Sequence, residues 1–268
     1  MIELPELDRA SLLSWTLNTL KKHGVRPSKK LSQNFVVNPR LISDVLSLTS
    51  YEDTVEIGCG IGTLTIFLIN RVRSLVCIEY DERLIKIAAS IVRNPRFIPL
   101  RGDALATGVG RPQVVSNLPY HVTSDMLITI ARDNSVSKAV LTLQKEVGER
   151  LVAKPGTESY GRLSVIVQLL FNLKIAGVYP PGSFIPRPKV ASSLLLLERR
   201  RAYDSVIEKV EHVTRALFSQ RRRNARRVAE SRLSINVEVL TRIIPSDKRV
   251  FELEPEVFLA LAKELAST

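Results

Sequence analysis

Asn117-Leu118-Pro119-Tyr120 places a carboxamide, a proline-stiffened backbone and an aromatic ring within one short stretch. Those groups match the needs of alkylation at an aromatic amine. The lone pair of an exocyclic base amine is delocalised into its ring, so a catalyst must localise that pair and aim it. Asn117 Oδ1 and a neighbouring backbone carbonyl can accept the two amine hydrogens. Pro119 holds Leu118 in the extended region and so fixes the direction of the Leu118 carbonyl, while Tyr120 offers a face on which a base can stack. An ordinary proline-containing turn after a strand would carry the same residues. What separates the two readings lies upstream.

Thr54-Val55-Glu56-Ile57 reads as a short apolar strand running into Gly58-Cys59-Gly60-Ile61-Gly62, after which Thr63-Leu64-Thr65 opens a helix. Glycines at 58, 60 and 62 let backbone approach a ligand, and the helix start offers unpaired N–H groups. The next apolar run, Ser74 to Ile78, ends at Glu79, 21 residues after Gly58. That is close to the roughly 20-residue spacing at which an acid meets a ribose diol in a nucleotide-binding βαβ unit. A dinucleotide fingerprint wants Gly or Ala where Thr63 stands, so Gly-x-Gly-x-Gly suits S-adenosylmethionine better. A third strand-like run, Arg96 to Leu100, leads to Asp103, which could accept from an adenine amine, and a fourth, Gln113 to Ser116, delivers Asn117. Four chemically distinct loops thus fall at successive strand ends, where open α/β sheets bind ligands.

With these motifs the chain resembles the small-subunit ribosomal RNA adenine N6,N6-dimethyltransferases of the KsgA type, nearly end to end. Further stretches carry the resemblance: Leu31-Ser32-Gln33-Asn34-Phe35, Leu143 to Val147, Tyr160 to Ser164, Ser183 to Val190 and Phe218 to Arg223. It implies S-adenosylmethionine as cofactor, with Asn34 and Val36 at its methionine end, Gly58 and Gly60 in the glycine loop, Glu79 on the ribose and Asp103 on the adenine. Asn117 would touch both cofactor and target amine, Leu118 would offer its carbonyl, and Tyr120 and Phe184 would hold the two faces of the target base. Cys59, His121 and Val36 stand where Pro, Asn and Leu are usual in that family. None of these changes removes a needed donor or acceptor.

The formal net charge of +12 and pI near 10.0 call for a polyanionic partner, nucleic acid before membrane. Residues 199–232 hold eleven basic against four acidic side chains, and Arg221, Arg222, Arg223, Arg226 and Arg227 are the densest part. A solvated helix face would carry such a run. Crowded guanidinium groups nevertheless repel one another unless an anion neutralises them, and their forks match phosphate oxygens, so RNA contact is the favoured reading. No stretch approaches the roughly 18 apolar residues of a membrane span, and Met1-Ile2-Glu3-Leu4-Pro5-Glu6 lacks a basic and then apolar leader pattern. A cytoplasmic monomer acting on small-subunit ribosomal RNA and the assembling small subunit is expected. Cys59 and Cys77 are expected as reduced, buried, apolar side chains. His23, His121 and His212 are scattered, so no metal site is expected.

The elements that must position these residues are a doubly wound, Rossmann-like methyltransferase sheet with an antiparallel edge over 1–198, followed by a small helical RNA-binding domain over 199–268. Leu12, Leu13, Leu17 and Leu20 fall at helical spacing before that sheet. Val136 to Leu143 supplies a fifth strand, and Lys174 to Val178 and Ser192 to Glu198 could pair across the Pro-rich stretch 180–188. After Arg201, helical periods cover Val206 to Phe218, Arg222 to Glu230, Val237 to Arg242 and Pro255 to Leu265. Three other readings stay open: a different adenine target, in large-subunit RNA or DNA; an assembly factor without catalysis; and, disfavoured by Thr63, a dehydrogenase.

Overall fold

Strands that show no polar face to water must be covered on both sides, and the apolar runs ending at Ile57, Ile78 and Ser116 form the interior of such a sheet, while the run from Phe97 lies at its edge with Ile98 and Leu100 exposed. A computed structural model describes residues 4–267. Its elements run α1 (Arg9–Lys22), β1 (Phe35–Val36), α2 (Pro39–Leu48), β2 (Asp53–Ile57), α3 (Thr65–Leu68), β3 (Ser74–Glu79), α4 (Glu82–Ile91), β4 (Phe97–Arg101), α5 (Ala104–Thr107), β5 (Gln113–Asn117), α6 (Thr123–Arg132), β6 (Lys138–Gln144) and α7 (Lys145–Leu151). Then follow α8 (Arg162–Leu170), β7 (Phe171–Tyr179), β8 (Phe184–Ile185), β9 (Ser192–Arg199), α9 (Ser205–Phe218), α10 (Ala225–Arg232), α11 (Val237–Ile243) and α12 (Pro255–Ser267). No helix among the described residues is long and apolar enough to cross a membrane.

The chain divides into two compact units, residues 1–148 with 174–198, and residues 149–173 with 199–268. In the first, the sheet order is β4-β3-β2-β5-β6-β9-β7, parallel from β4 to β6, with β9 antiparallel to β6. This is the expected doubly wound sheet with an antiparallel edge. The order reverses between β2 and β5, so the glycine loop and the Asn117 tetrad leave neighbouring strands at the topological switch point. A separate two-stranded sheet, unforeseen, pairs β1 with β8 and sets Val36 opposite Phe184. Helix starts are fixed by short acceptors: Asn38 takes the N–H groups of Arg40 and Leu41 at α2, and Asp81 takes that of Arg83 at α4.

The second unit is helical and larger than the expected 199–268. α8 packs on α9 and α12, so its apolar face, from Val165 to Leu170, joins this core. Tyr160 donates its hydroxyl to the Leu253 carbonyl at 3.0 Å, and Phe218 lies between Tyr160 and Phe258 with ring centroids 6.1 and 5.5 Å away. The Tyr160 and Phe218 motifs are thus core contacts of this unit.

Candidate functional site

The loops leaving β2, β3, β4 and β5 open onto one cavity of about 340 Å³ in the first unit, bounded on another side by residues 31–36. Asn34, Val36, Gly58, Gly60, Glu79, Asp103 and Asn117 all line it. The glycine turn is sewn to the end of β3, where Gly58 N–H donates to the Ile78 carbonyl at 2.8 Å and Gly60 N–H to Glu79 Oε2 at 2.9 Å. Gly60 has φ +58, and a Cβ there would lie 2.9 Å from Phe35 Cε1. Any larger residue would combine left-handed strain with a clash at the cavity wall.

Three carboxyl groups, those of Glu56, Glu79 and Asp103, line the cavity, and no Lys or Arg does among the described residues. Burial pushes the Glu56 carboxyl up to about 8, a rise that the hydrogen bond donated by Thr65 Oγ1 at 2.7 Å partly offsets and the neighbouring Glu79 charge reinforces. Burial also raises Glu79, opposed by backbone N–H donors from Asp81 and Gly60. Asp103 is exposed and caps α5 by accepting from Leu105 N–H at 3.0 Å. Thr63 Oγ1 is buried at the cavity with no hydrogen-bond partner. This set of acidic acceptors fits a cationic nucleoside with hydroxyl and amine groups to donate and disfavours a pyrophosphate.

At the other end, Asn117 Nδ2 donates to the Asn34 carbonyl at 2.8 Å, which leaves Oδ1 as the side chain's acceptor. Leu118 is buried and its N–H donates to the Thr142 carbonyl at 2.9 Å. Pro119 lines the cavity, whereas Leu118 and Tyr120 do not. Tyr120 is half-buried, its hydroxyl 2.8 Å from Ser192 Oγ.

Three expectations need correction. Phe184, expected as an accessible face for a base, is 0% exposed and belongs to the apolar core, because the pairing of β8 with β1 turns that strand inward. Cys59 and Cys77 are joined in a disulfide rather than held as free thiols. The register explains it: Cys77 lies beside Glu56 on the neighbouring strand, and the glycine turn curls Cys59 back toward it, giving a Cα–Cα distance of 6.1 Å. The arginine block is not one helix face. Asn224 caps α10, so Arg221 to Arg223 lie in the preceding turn. Arg221 Nη2 donates to the carbonyls of Glu158 and Tyr160 at 2.9 and 3.1 Å, and its guanidinium stands 5.5 Å from the Phe251 ring centre. Arg226 Nη2 donates to the Ile244 carbonyl at 2.7 Å, just beyond α11. Arg222, Arg223 and Arg227 are exposed.

Sequence reasoning missed Ser32, Gln33, Thr63, Tyr80 and His121 as cavity residues. Adjacency was the available signal, since each of them sits beside or near a residue singled out on other grounds.

The model of the ribosomal RNA adenine dimethylase family matches residues 25–267. Ribosomal RNA small subunit methyltransferase A of Clostridium perfringens is 38% identical over 196 residues, covering 69% of this chain and 69% of its own. Its counterpart from Geobacter metallireducens is 36% identical over 221 residues, covering 76% and 80%. Two solved structures, each 22% identical, share the fold. A dimethyladenosine transferase from Plasmodium falciparum has a TM-score of 0.76 over 87% of this chain and 98% of that one. The 23S rRNA methyltransferase ErmE has 0.68 over 87% and 100%. With its four strand-end loops in place and its family match nearly end to end, the chain belongs to the ribosomal RNA adenine dimethylases.

Proposed function

We propose that the protein dimethylates N6 of adenosines in small-subunit ribosomal RNA, using S-adenosylmethionine, and that it does so on the assembling small subunit, as a monomer, in the cytoplasm. The observation that carries the reading is the charge and shape of one cavity: acids at three strand ends, no Lys or Arg in its wall among the described residues, and an anchored carboxamide in its lining. The name of the Clostridium and Geobacter relatives, small subunit methyltransferase A, supports the choice of RNA.

Bound S-adenosylmethionine supplies an electrophilic methyl on a sulfonium centre, whose thioether leaving group needs no strong base. The chain's work is placement. Glu79 would take the ribose hydroxyls, Asp103 the adenine amine, Gly58 and Gly60 the closely approaching backbone, and Asn34 and Val36 the methionine end. Because Asn117 Nδ2 is held by the Asn34 carbonyl, Oδ1 is fixed as the acceptor for one target N6 hydrogen, with the Leu118 carbonyl for the other. The nitrogen lone pair is then drawn out of conjugation and aimed, and the surplus proton leaves to water after transfer. Tyr120 gives the base a stacking face, while Phe184 supports β1, the strand that carries Val36. Arg222, Arg223 and Arg227 are the exposed cations of the block and are assigned to RNA phosphates.

Labelled methyl transfer to unmethylated small-subunit particles and to naked small- and large-subunit RNA, followed by nucleoside analysis, tests the proposal. N6,N6-dimethyladenosine in small-subunit RNA is expected. Label confined to large-subunit RNA, or no transfer at all, overturns it.

A further inference from the structure

The segment 28–34 reaches both ends of the cavity through polar contacts, and Gln33 is its junction. Gln33 Oε1 accepts from Ser28 N–H at 2.8 Å, and Gln33 N–H donates to the Ser28 carbonyl at 3.2 Å, so the side chain closes the segment into a loop. Its other end, Nε2, donates to Asp81 Oδ2 at 3.0 Å, 48 residues away. Asp81 is a fixed post: Arg83 grips its carboxylate with Nε at 3.0 Å and Nη2 at 2.7 Å, and Asp81 N–H donates to Glu79 Oε1 at 2.9 Å. From the same loop, the Asn34 carbonyl receives Asn117 Nδ2, Asn34 Nδ2 donates to the Ser32 carbonyl at 3.0 Å, and Ser32 Oγ lies 3.1 Å from His121 Nδ1.

Leu31, Ser32, Gln33 and Asn34 are all half-buried, so hydrogen bonds rather than an apolar core hold this stretch. Ser32 has φ +51, the sole positive φ at a non-glycine among the described residues. Such strain persists where surrounding contacts over-determine the backbone, and it clusters at ligand clamps.

We infer that Gln33 is a positioning residue: by holding Asp81 it registers the 28–34 loop against the Glu79 end of the cavity and thereby sets Asn34, and through its carbonyl the Asn117 amide, for methyl transfer. The inference rests on assigning the cavity to S-adenosylmethionine. In its light, retention of the cofactor and aim of the target amine are coupled through one loop. Releasing Gln33 frees the loop at the ribose end and loosens the carbonyl that orients Asn117. Both cofactor affinity and turnover then fall together.

The test uses the full-length protein and S-adenosylhomocysteine as probe. Gln33→Ala should weaken binding about tenfold, the worth of one hydrogen bond to a charged acceptor, and lower single-turnover kcat while the melting temperature and RNA affinity hold. Asp81→Asn keeps an α4 cap but loses the acceptor for Gln33, so it should reproduce the loss. The double variant should be no worse than either single one. Unchanged probe affinity in Gln33→Ala, or additive losses in the pair, overturns the inference, and Asp81→Asn decides alone if Gln33→Ala does not fold. Glu79→Ala separates the two levels. If it binds the probe like the unaltered protein, the cavity assignment itself fails. If it loses binding while Gln33→Ala does not, only the role of Gln33 falls.

Discussion

Splitting the arginine block by what each guanidinium touches yields two opposite phenotypes from chemically identical substitutions. Arg221→Ala removes a charged donor from the Glu158 and Tyr160 carbonyls and a cation from the Phe251 ring. Two charge-assisted hydrogen bonds at a half-buried site are worth about 2–3 kcal/mol together. In a chain of this length that lowers the melting temperature by roughly 5–8 °C. Replacing Arg222, Arg223 and Arg227 together removes three exposed cations and no internal hydrogen bond of their guanidinium groups that the described residues show. The melting temperature should stay within about a degree or two, since surface substitutions of this kind cost little. If each of the three meets a phosphate, the slope of log affinity against log salt should flatten by about 2 to 3. Thermal melts and anisotropy titrations of a small-subunit RNA fragment at several salt concentrations read both quantities. Refutation would be an Arg221→Ala protein that melts normally and flattens the slope as much as the triple variant does. That outcome would mean the guanidinium is free to meet RNA despite its carbonyl partners.

Asn117→Ala should cut single-turnover methylation tenfold or more with RNA affinity nearly intact; equal rates would remove the carboxamide from the mechanism. Glu56 gives a pH signature. Its folded pKa of about 8 lies above the ordinary 4.5, so its contribution to stability is complete below about 4.5 and is lost as pH rises through about 8. Glu56→Gln does not titrate and can still accept from Thr65, so the cofactor-free variant should melt increasingly above the parent protein between those limits. The advantage is at most about 5 kcal/mol, and a constant difference across the range would show that Glu56 is ionised throughout. The Cys59–Cys77 bridge spans a sequence separation of 18, for which chain entropy gives about 3 kcal/mol. Reductant, or the Cys59→Ala/Cys77→Ala pair, should therefore lower the melting temperature by several degrees. Two alkylatable thiols in denatured, unreduced protein would contradict the bridge.

How much of this is legible in the sequence follows from the range of the forces involved. Runs such as Val55 to Ile57 and Leu75 to Ile78 are buried on both faces, and continuous apolarity with a turn at each end is a local signal of a parallel strand. Each strand-end residue inherits its place from that pattern: Gly58, Gly60, Glu79, Asp103 and Asn117 all line the observed cavity, whereas Gly62 packs toward Ala88 and Val92 instead. The β1–β8 pair is different. Two residues on each strand carry no period, and their meeting joins positions about 150 apart, so nothing near Phe184 announces that its ring will be buried.

The arginines show the same limit more sharply, since Arg221 and Arg222 are adjacent and identical in type. What divides them is a set of carbonyls about 60 residues earlier in the chain, which the fold of the second unit brings to Arg221 alone. Gln33 and Asp81 belong to this class as well: a side chain in a loop and a helix cap look unrelated until β3 ends beside the 28–34 segment. Spacing along strands thus identifies groups that meet a ligand, whereas groups that hold those groups in place depend on long-range pairing. Substitutions of the first kind should abolish a step. Substitutions of the second kind should couple steps that otherwise vary independently, and a double-mutant cycle across Gln33 and Asp81 measures that coupling directly.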